Sequence, residues 1–219
     1  MPQLKTRNYA VDACQERPKH MLEVMRIIAA ASFADHWLGN ILIGLSPMKG
    51  VRLAKQFNAL ENDSKKAANF EGIAAALLED DMHELLHRVV KLYKKTIKKR
   101  HPFAHQRYGW AKEDEDILLL IDPRHELLDR AVRGALQAQA PNGGVMPKEW
   151  WDELHAAGKK KEEGIMCYRL AELESIREEI EETTACLTQF WHLSGMKPPP
   201  PVRDVIQAEL TQRLEAKGL

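Results

Sequence analysis

An arginine and a histidine stand five positions apart in Arg100-His101-Pro102-Phe103-Ala104-His105, where a strongly basic segment meets a proline. An imidazole moves protons near neutral pH. A guanidinium fork holds a phosphate and stabilises the extra charge it gains in a transition state. Cleavage of RNA without a metal needs both groups, the imidazole moving protons at the 2′-hydroxyl or at the leaving oxygen. The spacing also allows a plainer assignment. In that one, Arg100 makes an ion pair at a helix end and His105 a structural hydrogen bond.

A second motif, His83-Glu84-Leu85-Leu86-His87, is a literal HExxH. On a helix, His83 and His87 share a face one turn apart and suit zinc, with Glu84 activating the bound water. A catalytic zinc needs a third protein ligand. No Gly-x-x-His follows, no clear Glu-bearing helix lies just downstream, and the chain is poor in the strand edges that such hydrolases offer a substrate. The pair reads first as surface or interface histidines, with a zinc hydrolase as the alternative. The main reading calls for no cofactor.

The composition frames both motifs. Lys and Arg (32) balance Asp and Glu (32), so a general electrostatic grip on nucleic acid is not expected, although a local basic patch is allowed. The three cysteines, Cys14, Cys167 and Cys186, are far apart and lack CxxC spacing, which points to reduced thiols rather than a disulfide framework or zinc knuckle. The first 18 residues hold no apolar core of signal-peptide length. The apolar stretch Met21 to Leu45 is interrupted by Glu23, Arg26, Asp35, His36 and Asn40, too polar for a membrane span. Cytoplasm, with no membrane contact, is the expected location.

The elements that must position these residues follow from periodicity. Residues 1–18 read as an irregular arm. From Lys19, apolar residues recur at helical spacing through Phe33, Trp37, Ile41 and Leu45, until Ser46-Pro47 ends the helix. Leu53, Phe57 and Leu60, then Ala67, Phe70, Ile73 and Leu77, mark further helix, broken at Asn62-Asp63-Ser64 with Asp63 or Ser64 as cap. A third helix spans about Asp80 to Lys99 and ends in cations that suit its dipole. His101-Pro102 should stop it and open an irregular segment to about Asp116.

Ile117 to Ile121 is a short apolar run that fits strand or helix, and Ile165 to Tyr168 is a brief strand that can pair with it. Between them, residues 124–139 read as a short helix, 141–144 as a turn, Pro147 as the start of another helix, and 159–163 as a charged loop. Leu170, Leu173, Ile176, Ile180, Leu187 and Phe190 mark a fourth long helix ending near Ser194-Gly195. Pro198 to Pro201 reads as a stiff extended spacer before a last helix from Val202. The fold expected is all-α: a long-helix antiparallel bundle over 19–195, with room for one short β-hairpin, followed by the spacer and C-terminal helix of 196–219.

The element order and the stretch RHPFAHQRYGW resemble the HEPN superfamily, whose signature is an Arg followed by a polar residue and then a His after four to six positions. YRLAELESIREEIEE resembles that family's closing helix. The resemblance spans roughly residues 19–195. It implies a helical bundle forming homodimers, with the Arg and His of both subunits meeting in a cleft. Active members are metal-independent endoribonucleases of toxin–antitoxin and phage-defence systems, and inactive members bind nucleotides or proteins. Carried over, Arg100 would hold the scissile phosphate and His105 would be the general acid or base, with His101 at the polar position. Pro102 and Gln106 depart from the family form, Gln106 standing where a Gly is usual. His101, Lys94, Lys98, Lys99 and Arg107 are the candidate RNA contacts, and an antitoxin or other protein is a candidate partner. The five tryptophans (Trp37, Trp110, Trp150, Trp151 and Trp191) read as core or interface anchors.

Overall fold

The computed structural model describes residues 10–60, 62–124 and 165–219. The helices expected at 124–139 and from Pro147, the turn at 141–144 and the loop at 159–163 lie outside them. The described residues are mostly helical, with one antiparallel sheet among them. The chain divides into two compact units, one of residues 1–24 and 102–174, the other of residues 25–101 and 175–219.

In the first unit, β1 (Ala10–Val11), β2 (Arg107–Trp110), β3 (Ile117–Ile121) and β4 (Ile165–Arg169) follow one another across the sheet, each antiparallel to its neighbour. All five residues of β3 are buried, which accounts for its unbroken apolar run. The pairing read from the sequence is present, with Leu118 opposite Tyr168 and Leu120 opposite Met166. Two strands exceed the single hairpin expected: the segment after His105 forms β2, and the arm supplies β1. Their hydrophobic alternation is too short to stand out, because they are two and four residues long. Gly109 has a steric reason to be glycine, since a Cβ there would come within 2.9 Å of the Ala10 carbonyl oxygen and 2.7 Å of Ile121 Cδ1.

The turn between β2 and β3 is fastened by the residues just before and within the first helix. The buried Arg17 donates through Nη2 to the carbonyls of Ala111 (3.0 Å) and Asp114 (3.2 Å), and its guanidinium lies 5.5 Å from the Trp110 ring centre. His20 Nε2 donates to the Asp116 carbonyl at 3.2 Å.

The long helices form where periodicity puts them: α1 is Pro18–Leu45 and α6 is Leu170–Gly195. Among the described residues, α1 is the one helix long and apolar enough to cross a membrane by composition. In the second unit its Ile27, Ala31, Ala34, Leu38, Ile41 and Leu42 are buried. Pro47 ends α1 but also opens α2 (Pro47–Asn58), because proline fits the first helical position, whose N–H has no helical acceptor. The cap of α3 (Asp63–Ala75) is Asn62, one residue earlier than expected, its side chain accepting from the Lys65 amide at 3.0 Å. Phe57 of α2 and Phe70 of α3 meet edge to face at 6.5 Å.

A 3₁₀ turn at Asp80–Met82 leads into α4 (His83–Ile97). A second 3₁₀ turn, Lys98–Arg100, runs straight into α5 (His101–His105), so the stop expected at His101-Pro102 does not occur. Pro102 is the second residue of α5, where a missing N–H costs no bond. The same rule absorbs Pro200 and Pro201 into the start of α7 (Pro200–Ala216), leaving the extended spacer shorter than read from the sequence.

Candidate functional site

Arg100 belongs to the second unit, at the end of the turn after α4, and His105 to the first, as the last residue of α5. Each is described in its own surroundings.

Arg100 stands beside a polar cluster that apolar helix faces enclose. Asp35, in the middle of α1, accepts from Lys66 Nζ at 3.0 Å through one carboxylate oxygen and from the Tyr93 hydroxyl through the other. Tyr93 is almost fully buried. Burial first, and the neighbouring Asp35 charge second, raise its pKa far above the ordinary phenol value, so it remains a donor. Lys66 also lies 5.7 Å from the Phe57 ring centre. At the edge of this cluster, Arg100 Nη2 is 3.6 Å from Asp63 Oδ2, in the first turn of α3. That is an ion pair but too long for a hydrogen bond. Arg100 Nε is buried and has no acceptor among the described residues. The side chain is 21% exposed, so the guanidinium is held by charge on one side while its Nε faces away from solvent.

The other candidate contacts are placed as follows. His101, His105 and Arg107 are exposed, Arg107 opening β2. Lys98 is exposed. Lys94 is paired with Glu71 at 2.7 Å and Lys99 with Glu179 of α6. Burial opposes the charge of Glu71, yet hydrogen bonds from Lys94 and His87 hold its pKa below the usual value.

Within the HExxH stretch, His83 opens α4 and donates through Nε2 to the Ala75 carbonyl at 2.9 Å. His87, 69% exposed, donates through Nδ1 to Glu71 at 2.8 Å. Glu84 is exposed in the first turn. Among the described residues no group of three His, Cys, Asp or Glu stands placed to hold a metal ion. The zinc alternative thus gains no third ligand there.

Sequence reasoning passed over Asp35, Lys66 and Tyr93 as a group. The available signal was Asp35 itself, an acid inside an apolar helix, which must find partners when its helix is buried. Arg17 and His20 were also unremarked, because carbonyl acceptors in a distant turn leave no trace in spacing. Comparison with protein-family models, curated proteins and solved structures gave no match.

Proposed function

We propose that this chain is a metal-independent endoribonuclease of the HEPN kind, acting as a homodimer, with Arg100 on the scissile phosphate and His105 as proton carrier. The observation that carries this reading is the state of Arg100. It is tethered by Asp63 at 3.6 Å, and its Nε has no acceptor among the described residues. Held by an ion pair rather than a hydrogen bond, and with its side chain 21% exposed, the guanidinium is oriented and keeps its remaining Nη donors for a phosphate, the buried Nε not being one of them. His105 is exposed at the end of α5, within reach of a substrate.

In the reaction proposed, His105 takes the proton of a ribose 2′-hydroxyl. The 2′-oxygen bonds to phosphorus, the bond to the 5′-oxygen breaks, and that oxygen takes a proton from water while the His105 imidazolium returns its own to solvent. The products are a 2′,3′-cyclic phosphate and a 5′-hydroxyl. Arg100 offsets the charge that builds on the phosphoryl oxygens. Lys94, Lys98, Lys99, His101 and Arg107 are the proposed RNA contacts. The HEPN resemblance supports a cytoplasmic setting in toxin–antitoxin or phage defence, with a protein antitoxin as partner and no membrane.

The proposed dimer has a candidate face in the second unit. Met25 (66% exposed), Ala29 and Phe33 (53% exposed) recur every fourth residue on α1, beside Arg177 and Glu181 of α6. Both charge signs border this apolar strip, so it suits an isologous contact.

A second reading keeps the fold without catalysis, as a protein-binding module. It is favoured by the same Asp63, whose carboxylate offsets part of the positive charge that a phosphate would meet. The test is incubation of mixed RNA with the purified chain in EDTA, beside Arg100→Ala and His105→Ala. Cleavage by the wild type alone supports the nuclease. Absence of cleavage by all three across varied RNAs transfers the assignment to the module.

A further inference from the structure

From residue 91 to residue 100, every side chain that is not buried is Lys or Arg: Lys91, Lys94, Lys95, Lys98, Lys99 and Arg100. Leu92, Tyr93, Thr96 and Ile97 fill the remaining positions and all are buried. Three of the six cations are engaged, Lys94 by Glu71, Lys99 by Glu179 and Arg100 by Asp63. Lys91, Lys95 and Lys98 have no ion-pair partner among the described residues and are exposed. Lys91 and Lys95 lie about 40° apart on α4 at about 100° per residue, and Lys98 follows in the 3₁₀ turn that continues the helix, so the row is about 10 Å long and leads back from Arg100. A chain whose charges sum to zero has gathered this excess on one helix face.

We propose that the row Lys91, Lys95 and Lys98 is a track for the phosphates of single-stranded RNA, so that the chain acts on strands several nucleotides longer than the scissile step. The RNA identity rests on the nuclease reading above; the polyanion site does not.

The chemistry of the face selects this occupant. A membrane-surface helix presents an apolar face beneath its cations, but the apolar face of α4 is buried. A protein interface uses aromatic or aliphatic anchors at its centre, and no residue of α4 that escapes burial is apolar. Point charges at regular spacing with no directional fork suit a repeating phosphate, without base readout. The track binds ground state and transition state alike, so it acts on KM and leaves kcat alone. The engaged Lys94 and Lys99 contribute less than their number suggests, because RNA must compete with Glu71 and Glu179.

The experiment measures binding of a fluorescein-labelled 12-nucleotide RNA with 2′-O-methyl groups, which cannot be cleaved, by anisotropy in EDTA over a salt series. Wild type is compared with the triple variant Lys91→Ala, Lys95→Ala, Lys98→Ala. A charge-matched control changes the exposed Lys19, Lys65 and Lys112 instead. Each phosphate contact in a single strand contributes about 0.7 to the slope of log affinity against log salt. The track predicts a slope shallower by about 2 in the triple variant, with the control unchanged, and melting curves that overlay. Equal slopes in wild type and triple variant overturn it. Equal losses in triple variant and control also overturn it, as a net-charge effect, and so does stronger wild-type binding to anionic vesicles or to polyglutamate than to this RNA. A changed slope with no cleavage of ordinary RNA defeats the nuclease reading and keeps the track. Cleavage with an unchanged slope does the reverse.

Discussion

Asp63 and Arg100 face each other at 3.6 Å, one in the first turn of α3 and the other at the end of the turn after α4. In the proposed nuclease the carboxylate would do two opposing things: orient the guanidinium and repel an incoming phosphate. Asp63→Asn separates these. The amide leaves the Asn62 cap intact, removes the repulsion and loosens the tether. The expected outcome in RNA cleavage is a KM lower by a few fold, in line with the small value of a partly exposed ion pair. The accompanying kcat should fall by about ten- to a hundredfold, from a misplaced guanidinium. Steady-state kinetics check this, and an unchanged kcat would show that Asp63 does not position Arg100.

Asp35 depends on Tyr93 for one of its two carboxylate oxygens. Tyr93→Phe keeps the shape of the buried ring and removes only the donor. The expected cost is about 1–3 kcal/mol, the usual penalty for stranding a buried acceptor. Urea unfolding followed by circular dichroism measures it. A change under about 0.5 kcal/mol would mean that water reaches Asp35 and the cluster is not sealed.

Much of this architecture is readable from the chain, and the misses share physical causes. Phe33, Trp37 and Ile41 announce α1, and Leu173, Ile180 and Leu187 announce α6, because amphipathic spacing repeats over several turns. The antiparallel partner of Ile117–Ile121 was legible for a similar reason, its apolar run being continuous. Pro102, Pro200 and Pro201 mislead because proline breaks a helix only from its second turn onward, and sequence alone does not say which turn it occupies. Of the candidate site, Arg100 and His105 were visible as types at a spacing. Asp63 was read as a cap and not as the partner of Arg100, because a contact 37 residues away is a property of α3 lying against α4.

Thiol chemistry offers a check on burial. Cys14 is exposed, whereas Cys167 and Cys186 are buried. Burial first, then the Glu182 charge, push the Cys186 thiol up to about 11, and burial also raises Cys167. At pH 8 a chromogenic disulfide reagent should label one thiol rapidly in the native chain and all three in denaturant. Because the folded pKa of Cys186 is raised, its effect on stability is nil below the unfolded value of 9.0 and turns unfavourable as pH climbs past it. Rapid labelling of two or more thiols in native buffer would contradict the burial of Cys167 on β4 or of Cys186 on α6.

The proposed dimer face is tested by Phe33→Asp, which puts a charge at a half-exposed apolar position and gives up the ring contacts with His36 and Trp37 on the same helix. Light scattering after size exclusion should show the wild type as a dimer and the variant as a monomer with an unchanged circular dichroism spectrum. A monomeric wild type, or a dimeric variant, rules out this face.

The central claim is that Arg100 and His105 act as one unit on RNA. Single-turnover cleavage of a defined RNA in EDTA, by wild type, Arg100→Ala, His105→Ala and the double variant, measures it most directly. The account predicts that each single variant loses on the order of 10²–10⁴ in rate, and that the double variant is no slower than the worse single. Variants that cleave at the wild-type rate, or losses that multiply in the double variant, would contradict it.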